Sequence, residues 1–236
     1  MSRFATSRPL GPDAPAYPEL SEKRVLITGA SNGVGGAIAS AYARQGCRLV
    51  VQFDGAGQAD FALAEDLREA AAGLRVFDCA LTDEGAVSRF SEAAVRAYHG
   101  IDVVINNVSA VPFDCGEAGD VAAFDEVIAE NLMTACLISE EIAAAMKARG
   151  TAGTILYAAE VEAIDDDEAF ARYAVAKVGL DAVTQGQAWE WADDGIGVNA
   201  LLAGPASETS EVAAAAVYQA TEDAFWISGK TLSFGT

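Results

Sequence analysis

Short apolar runs alternate with stretches of helical spacing along nearly the whole chain, and this alternation limits the fold more than any other feature. The runs are Val25–Ile27, Leu49–Val51, Leu74–Phe77, Ile101–Ile105, Thr154–Tyr157, Val198–Leu201 and Thr231–Phe234. Val25–Ile27 and Leu49–Val51 are wholly apolar and the others carry one or two polar residues, so they read as near-continuous apolar runs, as strands buried on both faces do. Between them, Val34, Ala37, Ile38, Ala41 and Tyr42 recur at helical spacing, and so do Val87, Phe90, Ala94 and Val95. Further helices are expected over about Val121–Arg149, Arg172–Trp191 and Ala213–Ala220. Strand–helix alternation of this kind predicts an α/β fold: a doubly wound parallel sheet of about seven strands with helices on both faces.

The 236 residues suit one large core, and a 52% hydrophobic content can fill it. Pro9, Pro12, Pro15 and Pro18 predict an irregular arm over residues 1–21, followed by a single domain over 22–236. No apolar run approaches the roughly 18 residues of a membrane helix. The N-terminal arginines precede no apolar stretch, so a secretory leader is not expected. Cys47, Cys79, Cys115 and Cys136 form no CxxC pair and read as reduced thiols of a cytoplasmic protein. A single histidine, His99, argues against a multi-histidine metal site, and no metal is expected. The net charge of −20 argues against nucleic acid and anionic membranes as partners.

The first strand runs into Thr28-Gly29-Ala30-Ser31-Asn32-Gly33-Val34-Gly35, and the first helix follows. Glycines between a strand and a helix let the backbone approach a pyrophosphate, and the helix start offers free N–H groups and a positive dipole end. Gly29, Ser31, Asn32, Gly33, Val34 and Gly35 are therefore candidate dinucleotide contacts. Asp54 lies 19 residues past Gly35, at the end of the second strand. A carboxylate there accepts from ribose hydroxyls and repels a 2′-phosphate. With no cation beside it, NAD is the expected cofactor and NADP the second choice.

The TGASNGVG segment resembles the short-chain dehydrogenase/reductase family, whose sheet is a Rossmann fold, and further matches follow in the family's order. Asp78 stands where the family keeps an aspartate near the adenine. Asn106-Asn107-Val108-Ser109 resembles its NNAG segment, which adds Asn107 to the cofactor set. Asn131 resembles the asparagine of its catalytic tetrad, and Tyr173-Ala-Val-Ala-Lys177 its YxxxK motif. Gly197-Val-Asn199, Ala203-Gly204-Pro205 and Trp226–Leu232 resemble later segments, with Gly204 at the cofactor. The resemblance spans about residues 22–236. It implies an NAD(P)-dependent oxidoreductase of small alcohols or carbonyls, with Tyr173, Lys177 and Asn131 catalytic and Tyr173 and Lys177 also touching the cofactor. Positions i and i+4 of a helix share a face, so Lys177 can stabilise the Tyr173 phenolate. It also implies a homodimer or homotetramer formed through the helices around 126–146 and 172–191.

Three departures accompany the resemblance. The family's catalytic serine position holds Glu160, which accepts hydrogen bonds only when ionised. The family's threonine near the nicotinamide is Glu208, with Thr209 one place late. The substrate lid of some twenty residues is missing. A dinucleotide-binding protein with little or no dehydrogenase activity is therefore a second expectation, and lyase or epimerase chemistry with Glu160 as base a third. Six of the nine residues from Glu160 to Glu168 are acidic. That loop favours neutral or cationic small substrates over anionic thioesters.

Overall fold

The computed structural model describes residues 15–31, 33–55, 57–110, 132–161, 167–204 and 206–235, with the backbone alone for 108–110, 161 and 167–177. Seven strands form one sheet: β1 (Arg24–Thr28), β2 (Arg48–Phe53), β3 (Gly73–Asp78), β4 (Val103–Ala110), β5 (Gly153–Val161), β6 (Ile196–Ala203) and β7 (Lys230–Phe234). Their order is β3-β2-β1-β4-β5-β6-β7, and every neighbouring pair is parallel. Among the described residues the α-helices are α1 (Gly33–Arg44), α2 (Gln58–Ala70), α3 (Glu84–Ala97), α4 (Thr134–Arg149), α5 (Asp167–Glu190) and α6 (Thr209–Gln219). The expected doubly wound sheet is present.

Successive strand residues feed opposite layers, because side chains alternate across a sheet. Val25 and Ile27 of β1, with Leu49 and Val51 of β2, join the core under α1, α2 and α6. Leu26 and Val50 point the other way, into the core under α3, α4 and α5. Two apolar faces on β1 and β2 explain why the sequence shows runs there instead of alternation.

Helix α2 has no counterpart among the helices expected from sequence. Its apolar stripe is too thin to read: of its residues only Asp60, Ala64 and Leu67 are buried. Its start is fixed by a polar contact instead, with the Gly57 N–H donating to Asp60 Oδ2 at 2.7 Å.

Two strands run furthest past the carboxyl ends of their apolar runs. β4 extends to Ala110, so Asn106–Ser109 lie inside the strand and not after it. β5 extends to Val161, and its ladder with β4 stays in register through Ala110 and Val161. Of the helix expected over 121–149, α4 accounts for Thr134–Arg149, and residues 121–131 lie outside the described set. Of the N-terminal arm, residues 15–21 are described. The Tyr17 N–H donates to Gln45 Oε1 at 2.8 Å, and Leu20 is buried in the α1-side core.

β1 and β4 are adjacent in space although two strands separate them in sequence, and an ion pair ties their amino ends. Arg24 donates from its backbone N–H and its Nε to Asp102 Oδ2, each at 2.8 Å, and from Nη2 to Oδ1 at 2.5 Å. Burial pushes the Asp102 carboxyl up, but the bonds and charge of Arg24 outweigh it and hold the carboxyl below its ordinary range. A depressed carboxyl stabilises the fold fully above its unfolded pKa of about 3.9, and that contribution is lost as pH falls through the folded value. Asp102→Asn is expected to lower the unfolding free energy by about 2 kcal/mol at neutral pH. The deficit should shrink below about pH 4 in urea titrations. A deficit of the same size at both pH values refutes the assignment.

Candidate active site

In a doubly wound sheet the ligand crevice opens at the carboxyl ends of the two strands where the winding direction reverses. Here those strands are β1 and β4. Gly29, directly after β1, has φ +59°, a left-handed conformation that favours glycine. Asn107 of β4 donates from Nδ2 to the Gly29 carbonyl at 2.8 Å. Gly35, in the first turn of α1, packs against the same pair. A Cβ at Gly35 would stand 2.4 Å from the Gly29 oxygen and 2.7 Å from Asn107 Nδ2, and one at Gly29 2.7 Å from the Asn107 oxygen. Both glycines are thus demanded by the close approach of loop and strand. Ser31 and Gly33 are exposed at the turn, and Val34 is buried in the core and anchors the start of α1. Asn32 lies outside the described residues.

Gln52 was not singled out from sequence, and it is central here. It is 4% exposed at the end of β2. Its Oε1 accepts from the Gly29 N–H at 2.8 Å, and its backbone carbonyl accepts from the Ala30 N–H at 3.1 Å. Its Nε2 donates to the Cys79 carbonyl at 2.7 Å and to the Phe53 carbonyl at 3.1 Å. The available signal was a polar residue among the apolar positions of Leu49-Val50-Val51-Gln52-Phe53.

Asp54 follows β2 and is exposed, and Asp78 ends β3 and is also exposed. They flank one turn: the Gly55 N–H donates to Asp78 Oδ1 at 3.0 Å. Burial first, then the charges of Asp78 and Asp54, push the Cys79 thiol up. Two carboxylates therefore rim the β2–β3 side of the crevice.

On the other side, Glu160 of β5 is half-buried and sits in register between Ser109 of β4 and Ala203 of β6. Tyr173 and Lys177 lie one turn apart on the backbone of α5, and their side chains are outside the described set. Asn131 and the acidic stretch 162–166 are outside it as well. Gly204, directly after β6, donates from its N–H to the Phe234 carbonyl at 2.8 Å, and a Cβ there would meet the Gly235 oxygen at 2.7 Å. Five residues join β6 to α6, which begins at Thr209. The Thr209 methyl stands 3.8 Å from where a Cβ on Gly33 would lie, so the start of α6 borders the glycine loop.

Beneath the site runs a buried polar chain that sequence reasoning also missed. Asn106 Nδ2 donates to Ser139 Oγ at 2.8 Å, and Tyr157 Oη lies 2.9 Å from Ser139 Oγ and 2.5 Å from Gln187 Oε1. The Gln187 oxygen can only accept, so it takes the Tyr157 proton and the Ser139 hydroxyl supplies the serine–tyrosine bond. The chain links β4, α4, β5 and α5, and burial pushes the Tyr157 phenol up, out of the range of a proton carrier.

The family model described as short chain dehydrogenase matches residues 23–217. The chain belongs to the short-chain dehydrogenase family. Among curated relatives, D-threitol dehydrogenase of Mycolicibacterium smegmatis is 28% identical, over 90% of this chain and 91% of that protein. L-rhamnose 1-dehydrogenase (NAD(P)(+)) of Azotobacter vinelandii is 32% identical, over 78% and 73%. Among solved structures, an NADH-dependent reductase complexed with NAD has a TM-score of 0.79 at 26% identity, covering 92% of this chain and 96% of the other. This short-chain dehydrogenase is an oxidoreductase, and the crevice over β1 and β4 fits the dinucleotide that its family uses. The fit rests on the side-chain-free cradle of Gly29 and Gly35 at a helix start.

The cradle makes a direct prediction. Gly35→Ala must push the loop off Asn107, and overpacking of this kind costs about 2 kcal/mol. The melting temperature is expected to fall by roughly 4–8 °C in a thermal scan. An unchanged melting temperature contradicts the packing described.

Proposed function

We propose that this short-chain dehydrogenase is an NAD(H)-dependent oxidoreductase of small, uncharged alcohols, ketones or aldehydes. The observation that carries the coenzyme choice is the paired carboxylates Asp54 and Asp78 around the Gly55 turn. Ribose hydroxyls can donate to such a rim, whereas a 2′-phosphate would meet two negative charges. In this reading Gly29, Ser31, Asn32, Gly33, Val34 and Gly35 hold the pyrophosphate, Asp54 and Asp78 the adenosine, and Asn107 and Gly204 line the nicotinamide half. The bound coenzyme supplies the hydride acceptor or donor. Tyr173 exchanges the proton with the substrate oxygen, Lys177 stabilises its phenolate and orients the coenzyme, and Asn131 completes the set.

Glu160 is the reason for a second reading, in which the protein binds the dinucleotide with little or no turnover. A carboxylate at this position gives the substrate oxygen no donor unless it is protonated, and its charge opposes phenolate formation. The link between β6 and α6, five residues long, is likewise too short to form a lid that excludes water. Both readings share the coenzyme, so one experiment separates them. NADH is expected to quench tryptophan fluorescence at lower concentration than NADPH, with Asp54→Ala narrowing the gap. A panel of neutral alcohols and ketones is expected to give turnover that Tyr173→Phe lowers about 100-fold or more. NADPH binding as tight as NADH overturns the coenzyme choice, and binding without turnover on any substrate leaves the second reading standing.

We further propose that the protein pairs with a second copy through α4 and α5. Val178 is 66% and Trp189 88% exposed, and they lie eleven residues, three helical turns, apart on α5. Ala182, Gln185 and Gly186 fill the stripe between them without a charge, on a chain of net charge −20. Trp189→Glu is expected to halve the mass measured by light scattering at micromolar concentration. A wild-type monomer at that concentration refutes the pairing.

A further inference from the structure

We propose that Gln52 is a positioning residue for the dinucleotide, locking the phosphate loop to the adenosine rim so that both halves of the adenosine diphosphate site move as one body. The proposal rests on the coenzyme reading above and goes beyond it in assigning a task to a residue that carries no charge and is not itself placed against the ligand.

The geometry carries the argument. Gly29 and Ala30 present consecutive N–H groups at the start of the loop, and one residue takes both: the Gln52 side-chain oxygen at 2.8 Å and the Gln52 backbone oxygen at 3.1 Å. The other end of the same amide reaches the opposite way. Nε2 donates to the carbonyls of Phe53 and Cys79, the residues adjoining Asp54 and Asp78. The Cys79 N–H donates to the Phe53 carbonyl at 3.0 Å, so the ends of β2 and β3 form one unit around the amide. A primary amide is the only uncharged side-chain group that accepts at one atom and donates twice at the other. An apolar residue of the same size would leave the Gly29 N–H buried without its acceptor. A carboxylate would face two carbonyl oxygens. The first two loop amides are thereby fixed in place, and the start of α1 presents the positive end of a helix dipole, which favours a pyrophosphate.

A purely structural glutamine would lower stability and leave the affinity of each folded molecule unchanged. The test therefore reads binding. Wild-type and Gln52→Leu proteins are titrated with NADH and with ADP-ribose, and their melting temperatures are recorded. The expected result is a folded variant that binds both ligands about tenfold more weakly, the loss for a buried donor deprived of its acceptor. An equal loss for ADP-ribose locates the effect in the adenosine diphosphate half. Affinity within about twofold of wild type in the folded variant overturns the proposal, and so does a loss confined to NADH. Hydrogen exchange on the wild-type chain keeps the test decisive should Gln52→Leu not fold. ADP-ribose is expected to slow exchange in peptides spanning 28–36 and 52–55 together, and protection of the first alone overturns the coupling. A wild-type chain that binds neither NADH, NADPH nor ADP-ribose overturns the coenzyme reading and this proposal with it, whereas unchanged binding by folded Gln52→Leu overturns this proposal alone.

Discussion

The bond from Asn107 Nδ2 to the Gly29 carbonyl joins the two strands between which the crevice opens, and the shape of the crevice depends on it. β1 and β4 pair because the chain, having wound outward to β3, crosses back to the other side of β1. At the amino ends the junction is ionic, Arg24 to Asp102, and at the carboxyl ends it is this amide. The amide works only at short range, so positions 29 and 35 cannot carry side chains. The glycines are therefore consequences of the junction as much as of any ligand. A loop drawn in by Asn107 on one side and Gln52 on the other is preorganised, which spares a ligand the cost of ordering it.

Charge then divides the crevice. The start of α1 turns the positive end of a helix dipole toward the centre. The rims are acidic: Asp54 and Asp78 on the β2–β3 side, Glu160 on β5, and Glu208 just before α6. An anion is favoured in the centre and disfavoured at the margins. The proposed coenzyme, with its unphosphorylated ribose, matches that pattern, and so does the proposed uncharged substrate. The overall charge of −20 adds a screened repulsion of the same sign, effective within about 8 Å at physiological salt.

The scaffold was legible in the sequence because its inner strands are buried on both faces and its cradle is built from glycines. All seven strands were expected from their apolar runs, and Gly29, Gly35 and Asn107 from their order. What was missed was polar. Helix α2 buries only three residues, so its periodicity is faint, and a bond from Gly57 to Asp60 sets its start. Gln52 stands in a run of apolar residues, where pattern reading treats it as an interruption and not as the partner of four backbone groups. Ser139, Tyr157 and Gln187 sit on three different elements, and nothing local to any of them announces that they meet. Asn106–Ser109 was placed after the strand because its asparagines end the apolar run, yet the ladder with β5 continues through them.

The departures at the proposed chemical end do not compromise the fold, and the packing explains why. Neither core includes Glu160, Glu208 or Thr209. On β5 the buried positions run from Ile155 to Ala159 and stop one residue short of Glu160. α6 contributes Val212, Ala213, Ala216 and Val217 to the α1-side core, all beyond its first turn. A substitution at Glu160, or a shortened link before α6, therefore alters the mouth of the crevice without removing a core contact. Function resides in a site carried by a scaffold that tolerates its revision. The same separation places Gln52 and Asn107 on the other side of the line. They are tied by hydrogen bonds to the strand ends and to the loop at once, so the proposed coenzyme half of the site cannot be altered there without disturbing the sheet that presents it.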